Sequence, residues 1–394
     1  MPELIERISE KCDSSFYVFD VSELKKRIKF LREHLPPYAE LCYAVKANPF
    51  ISKEIENDVE RFEICSPGEA DICKTIGIDS KKMVISGIYK TPSVIEAMVS
   101  DESFKGIFTV ESLRQYDLLC RLADKYDKTL EALPRLTNDS QFGMDEADIE
   151  KIISERHNRS RLNIVGIQYF SGTQKTSLKK FRREIEYLSG FLAKLRESCS
   201  FEARELEYGT GFPVSYFTGD KLDENALLSG FSEILDELPQ KPRIILELGR
   251  SIAASCGKYY THIVDIKQNK GQHYALTDGG MHHIVYYGQY MAMKQPFVSV
   301  VGRDNDGADK QWTICGSLCS MNDILVKQIS LPDIETGDIL CFENAGAYCM
   351  TEGISLLLSR DLPAIYLVRE NGDLYRIREP FETKQINTPV YEKL

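Results

Sequence analysis

Residues 106–109 read Gly106-Ile-Phe-Thr109, residues 111–125 read Glu111-Ser-Leu-Arg-Gln-Tyr-Asp-Leu-Leu-Cys-Arg-Leu-Ala-Asp-Lys125, and residues 130–136 read Leu130-Glu-Ala-Leu-Pro-Arg-Leu136. A short apolar run, a longer amphipathic stretch and a second apolar run spell strand, helix, strand. The alternation continues on both sides. Strand-like runs occupy residues 39–45, 61–65, 83–86, 106–109, 130–136, 163–170, 205–208 and 243–248; helix-like stretches include 111–125, 145–157 and 178–198. Eight strands separated by helices over about 230 residues meet the requirement of a (β/α)8 barrel of the TIM type. An open doubly wound sheet has the same local texture. The count of eight favours the barrel.

Beyond Cys256 the texture changes. Runs at 259–268, 272–277, 297–301, 311–315, 339–344, 364–369 and 373–378 are short and parted by turn signals such as Gln268-Asn-Lys-Gly271 and Glu370-Asn-Gly-Asp373. That pattern predicts an antiparallel β domain, which the early run 16–19 is expected to join. The expected organisation is an N-terminal strand in 1–20, an α/β barrel in 21–256 and a C-terminal antiparallel β domain in 257–394.

The chain has 394 residues, with 49 Lys and Arg against 60 Asp and Glu, for a net charge of −11. Such an acidic balance argues against general nucleic-acid binding, which needs clustered basic residues. At 43% hydrophobic and 28% charged residues, the composition is that of a folded soluble protein. The length buries enough surface to need no disulfide or metal staple. Eleven cysteines are scattered, odd in number and without a C-x2-C pair, so neither a disulfide framework nor a metal site is expected. The opening residues, Met1-Pro-Glu-Leu-Ile-Glu-Arg-Ile-Ser-Glu10, lack a signal-peptide core. No apolar run reaches the roughly 18 to 20 residues of a membrane span. A reduced, cytoplasmic protein is expected.

Several residues invite a chemical reading. Lys46 ends the apolar run Leu41-Cys-Tyr-Ala-Val-Lys46. At the C-terminal end of a barrel strand, desolvation would lower its pKa toward the amine that forms Schiff bases; a snorkelling lysine is the plainer alternative. Gly209-Thr-Gly211-Phe-Pro213 follows another apolar strand and suits backbone N–H contact with phosphate, or else a tight turn. It is not G-x-G-x-x-G, so a dinucleotide site has no support. In Glu247-Leu-Gly249-Arg250 the acid suits a protonated ring nitrogen and Arg250 a phosphate, with a structural ion pair as the alternative. The adjacent His282 and His283 would point to opposite faces of a strand and make a poor metal pair. Cys315 and Cys319 flank Gly316-Ser-Leu, and either could be a thiol acid or a buried apolar group. Lys175-Thr-Ser-Leu-Lys179-Lys180-Phe-Arg182-Arg183 reads as a basic patch on a solvated helix face.

In order, these motifs resemble the fold-type III pyridoxal-phosphate decarboxylases, the ornithine, arginine and diaminopimelate decarboxylase family, whose barrel and β domain alanine racemases share. The resemblance runs from Tyr17 to about Arg378. Tyr43-Ala-Val-Lys46-Ala-Asn48 looks like the family's Schiff-base motif, making Lys46 the cofactor lysine. Gly209–Pro213 is similar to its phosphate loop, and Glu247–Arg250 to its E-P-G-R, with Glu247 holding the pyridinium proton beside Gly249 and Arg250. Gly316-Ser-Leu-Cys319 resembles G-P-x-C, whose cysteine reaches the partner subunit's site. Asn344-Ala-Gly-Ala-Tyr348 is similar to G-A-Y, whose tyrosine touches phosphate. Arg135 sits where the family carries an arginine near the ring. The resemblance implies pyridoxal 5'-phosphate as cofactor, decarboxylation of an amino acid, Cys319 as the acid that protonates the product carbon, and a homodimer with shared active sites.

The departures bear on substrate. Where the family stacks a histidine within H-x-G-S, this chain has Phe170 and then Thr173. Ser320 replaces the acid that would hold the distal amine of ornithine or diaminopimelate. Tyr286 stands where diaminopimelate enzymes place an arginine for a carboxylate. A buried ammonium without its carboxylate costs several kcal/mol, so both standard substrates are disfavoured. The Met281-His-His283, Ser171–Gln174 and Leu358-Ser-Arg360 runs look like a side branch that includes decarboxylases of aminoacyl groups tethered to carrier proteins, for which the basic patch with Lys179 and Arg182 offers a dock. An amino-acid racemase is a second enzyme class, opposed by the acid at Glu247. A non-catalytic regulator is a third, opposed by Lys46, Arg250 and Tyr348.

Overall fold

The computed structural model describes residues 2–158, 161–239, 242–303 and 310–392. Its strands are β1 Phe16–Asp20, β2 Glu40–Ala44, β3 Arg61–Ile64, β4 Met83–Ile85, β5 Ile107–Val110, β6 Leu130–Leu136, β7 Leu162–Ile164, β8 Gly166–Phe170, β9 Glu205–Gly209, β10 Arg243–Leu248, β11 Gly257–Asn269, β12 Gln272–Thr277, β13 Val298–Val300, β14 Lys310–Cys315, β15 Ile324–Leu331, β16 Ile339–Phe342, β17 Ala364–Val368 and β18 Leu374–Arg378.

Residues 28–213 and 223–252 form one compact unit. Its strands pair in parallel in the order β5-β4-β3-β2-β10-β9-β8-β6, and a β5–β6 pairing closes the ring of eight. The expected barrel is present, and the open sheet is set aside. The predicted run 163–170 is split at Val165, whose N–H turns to the carbonyl of Ala132, so β7 and β8 follow β6 in succession. Four of the described helices begin at residues whose side chains accept an orphan N–H: Ser66 from Glu69, Ser112 from Gln115, Ser177 from Lys180 and Asp223 from Ala226. Inside the ring, Cys42, Val84 and Ile245 pack together, as do Ile107, Leu133 and Val165. Alternate strand residues face inward, so the interior is a packed core that supports the loops above it.

The other unit comprises Met1–Arg27, Val214–Leu222 and Ala253–Leu394. Its main sheet runs β15-β14-β12-β11-β1-β17-β18, and β16 pairs with β11 and β13. Mostly antiparallel, it departs from the expected pattern at two places: β1–β17 and β12–β14 are parallel. Parallel neighbours need a long connection rather than a hairpin, and both pairs have one. Phe16 anchors the core, stacked on Tyr260 with ring centroids 5.2 Å apart and edge-on to Tyr366 at 5.8 Å. Ile5 and Ile8 of the helix Pro2–Ser9 complete that cluster. Among the described residues no helix is long and apolar enough to cross a membrane.

Candidate active site

Two-residue periodicity puts an unusual set of charges inside the barrel. Arg61 and Glu63 alternate along β3, and Glu205 and Glu207 along β9. Arg61 donates to both Glu205 oxygens at 2.9 Å and to Glu207 at 3.0 Å. Buried ions persist only when paired in this way.

Toward the C-terminal strand ends, the short turn Val45–Ala47 presents Lys46. Its Nζ donates to Glu63 at 2.9 Å and to the Cys65 sulfur at 3.3 Å, and the Cys65 thiol donates to Glu63 at 3.3 Å. Burial alone would raise the Glu63 pKa, but the charge and hydrogen bond of Lys46, helped by Cys65 and Arg135, hold it below the usual carboxylate value. The expected desolvation of Lys46 is not what surrounds it: the side chain is 42% exposed, and its cation meets a buried anion.

Glu247 behaves oppositely. Burial first, then the negative charges of Glu63 and Glu207 and a hydrogen bond to Glu207, raise its pKa far above the usual value. Gln168 donates to it at 2.8 Å, while the amide oxygen of Gln168 has no partner. This environment favours the protonated form of the Glu247 carboxyl. Arg135 is buried, donates to Glu111 at 3.2 Å and lies 4.8 Å over the ring of Phe142. Lys90, buried nearby, donates to Thr109, Gln115 and the carbonyl of Gly87; burial lowers its pKa to about 8.

The glycine loop lies at the end of β9. Gly211 has φ +59° and would place a Cβ 2.0 Å from the Gly172 carbonyl, so only glycine fits without rearrangement. A Cβ on Gly209 would meet the Phe170 ring at 2.3 Å. Thr173 accepts from Arg250 Nε at 3.4 Å, and Gly249 lies in the bend before Arg250. Lys175 is a correction. Instead of opening a solvated patch it is 4% exposed and donates to Glu184 at 2.8 Å. Arg182 is paired with Glu237, which further thins the patch.

The remaining expected site residues belong to the sheet unit. Cys319 is exposed on the loop after β14 and Ser320 is half-buried beside it. Asp323 holds this loop, accepting from the N–H groups of Leu318 and Met281, each at 2.7 Å. Tyr348 adopts φ +63°, an uncommon conformation for a bulky residue. Tyr286 is buried, donates its hydroxyl to the Glu343 carbonyl at 2.5 Å, and lines a cavity of about 390 Å³ with Tyr290, Met291, Asn322 and Phe342. His282 and His283 stand in a turn after Gly279-Gly280, not on a strand, with rings 3.9 Å apart.

The sequence reading singled out Lys46, Arg135 and Glu247 but passed over Arg61, Glu63, Cys65, Gln168, Glu205 and Glu207. A signal was present: charges two apart within otherwise apolar strands point to one face, which in a barrel is the interior.

The family model described as pyridoxal-dependent decarboxylase, C-terminal sheet domain, matches residues 16–346. The L-glutamyl-[BtrI acyl-carrier protein] decarboxylase of Niallia circulans is 26% identical over 95% of this chain and 93% of its own length. The diaminopimelate decarboxylase of Aquifex aeolicus is 27% identical over 95% and 91%. Among solved structures, AQ1208 of Aquifex aeolicus superposes with a TM-score of 0.82 at 27% identity, covering 97% of this chain and 92% of that one. The diaminopimelate decarboxylase of Methanocaldococcus jannaschii shares the fold, with a TM-score of 0.85 at 23% identity over 98% and 94%.

The residues present fit pyridoxal phosphate: a half-exposed amine at Lys46, an acid at Glu247 whose surroundings favour its protonated form, and a glycine loop with Arg250 close by. The curated relatives are decarboxylases, which favours that class over the racemase and non-catalytic readings. Matched over most of its length and equipped with this lysine and acid, the chain belongs to the pyridoxal-dependent decarboxylases of the ornithine, diaminopimelate and arginine decarboxylase family, as a pyridoxal phosphate-dependent carboxy-lyase acting on an amino acid.

Proposed function

We propose that this decarboxylase removes the α-carboxylate of an amino acid whose distal end is neither the free ammonium of ornithine nor the second amino-acid centre of diaminopimelate. The observation that carries this reading is Ser320, a neutral group where a distal ammonium would need a carboxylate. Tyr286, the other residue assigned to substrate, supplies a cavity wall rather than an arginine's charge.

When bound, pyridoxal phosphate supplies the electron sink for the pair left behind as CO2 departs. The protein's tasks are to hold and orient. Lys46 offers the amine that attaches the cofactor, and Glu63 accepts a hydrogen bond from that nitrogen and orients it. Glu247 keeps a proton at the ring nitrogen, where it deepens the sink. Phe170 presents a ring face, Arg135 a cation near the ring, and Gly209, Gly211, Thr173, Gly249 and Arg250 take the phosphate. Cys319 delivers a proton to the product carbon and Tyr348 touches phosphate, each in the site of a second copy, so that a homodimer shares its active sites. Mixing inactive Lys46→Ala and Cys319→Ala proteins then restores about a quarter of wild-type activity through mixed dimers. No restoration above the parent variants speaks against shared sites.

A second reading is an aminoacyl group tethered to a carrier protein. It is favoured by the likeness to the Niallia circulans enzyme, whose name describes such a substrate. The deciding experiment is CO2 release by the loaded enzyme from meso-diaminopimelate, lysine, ornithine, arginine and glutamate, free and, for glutamate, loaded on an acyl-carrier protein. Turnover of free diaminopimelate or ornithine overturns the first reading. Turnover of the tethered substrate alone establishes the second.

A further inference from the structure

Lys175 is a buried ammonium of the barrel unit that the proposed mechanism does not use. It lies between two loops. Its Nζ donates to Glu184 at 2.8 Å, to Ser171 Oγ at 3.0 Å and to the Tyr208 hydroxyl at 3.0 Å, with the Gly209 carbonyl at 3.5 Å. The rings of Phe181 and Tyr208 each stand 4.9 Å from it. Its backbone N–H donates to the Gly211 carbonyl at 2.9 Å. A Cβ on Gly211 would stand 2.0 Å from the Gly172 carbonyl and 3.1 Å from Lys175 Cε. Residues 171–175 and 209–211 are thus joined by side chain, by main chain and by contact.

Burying an ammonium costs several kcal/mol that its partners must offset, so an unused one calls for explanation. The geometry supplies it. Loop N–H groups bind an anion well only when the loop is already in place, because ordering it on binding is subtracted from affinity. Glu184 neutralises the Lys175 charge, leaving the lysine to act through geometry rather than through its field at the anion.

We propose that Lys175 is a positioning residue that locks residues 171–175 to the glycine loop 209–211 and so sets the affinity of the site for the phosphate of its cofactor. The proposal rests on the reading of Gly209–Gly211 as the phosphate loop.

The test compares dissociation constants for pyridoxal phosphate and for pyridoxal, in wild type, Lys175→Met, Lys175→Met with Glu184→Gln, and Gly211→Ala. Both aldehydes attach to Lys46, so their affinity ratio isolates the phosphate. The double variant removes the buried charge pair together while leaving Ser171 and Tyr208 a hydrogen-bond acceptor, and it carries the test where the single variant misfolds. Both lysine variants are expected to lower the ratio about tenfold or more, the scale at which removing an orienting group is felt, with pyridoxal affinity unchanged. An unchanged ratio in the lysine variants, with a collapse in Gly211→Ala, overturns the role of Lys175 and leaves the phosphate loop standing. An unchanged ratio in all variants overturns both.

Discussion

Glu247 at the end of β10 and the His282–His283 pair of the sheet unit are buried alike, and in each case burial favours the neutral form. For Glu247 this means a folded pKa raised above the ordinary 4.5, so folding favours proton uptake as pH rises above that value. For His282 and His283 it means values pushed down to about 3 and about 4, so the folded chain refuses protons that the unfolded chain binds below about 6.5. The stability consequences have opposite signs. The contribution of Glu247 is full below its unfolded pKa and declines as pH rises toward its folded one. The histidine penalty is absent above about pH 6.5 and grows as pH falls toward about 4. The two regions also use burial differently. Glu247 stands among other carboxyls with a proton to share, whereas both nitrogens of His283 are committed, to the Tyr259 hydroxyl and the Asp361 carbonyl. One region keeps a reactive proton and the other keeps a packed corner.

The largest effect expected from this contrast is on catalysis. Glu247→Ala lowers kcat about a thousandfold, while borohydride reduction still traps the cofactor on Lys46. A kcat within about threefold of wild type would remove Glu247 as the proton holder. Next comes the acid response of the sheet unit. Urea denaturation between pH 6.5 and 4 should show a loss of about 3 kcal/mol from His283, which His283→Gln flattens. An equal slope in that variant assigns the acid sensitivity to other groups. Glu63→Gln is expected to lower kcat/KM about 30-fold, because Lys46 loses its buried anion; steady-state kinetics with wild-type values would reduce the pair to a resting contact. The last test is Glu247→Gln in the cofactor-free protein, whose stability relative to wild type is expected to be greater at pH 8 than at pH 5. Equal gains at both pH values contradict proton uptake on folding.

These residues also mark how far the sequence could be read. Lys46 and Glu247 were visible because each closes an apolar strand, where a charge at a strand end stands out. Arg61, Glu63, Glu205 and Glu207 were hidden by the same rule of alternation that identified their strands, since which face is inside depends on ring closure. Lys175 was misread because it adjoins the helix Leu178–Cys199 and shares its basic character, yet it precedes the cap and folds in against the glycine loop. The histidine pair looked like strand until Gly279-Gly280 turned the chain. Strand β15 went unread, for Lys327 and Gln328 interrupt its apolar pattern and Gln328 takes φ +53°.

Strand β1 carries a consequence for biosynthesis. Its two neighbours, β11 and β17, begin at Gly257 and Ala364, so its buried rings emerge from the ribosome long before either partner. At about 5 to 20 residues per second, the wait for β11 is on the order of 10 to 50 seconds, and β17 comes later still. Throughout that interval Phe16, Tyr17 and Phe19 are an unpaired apolar edge, exposed while the residues of the barrel are still being made. The nascent chain, more than the finished protein, is therefore the form most in need of a holding chaperone.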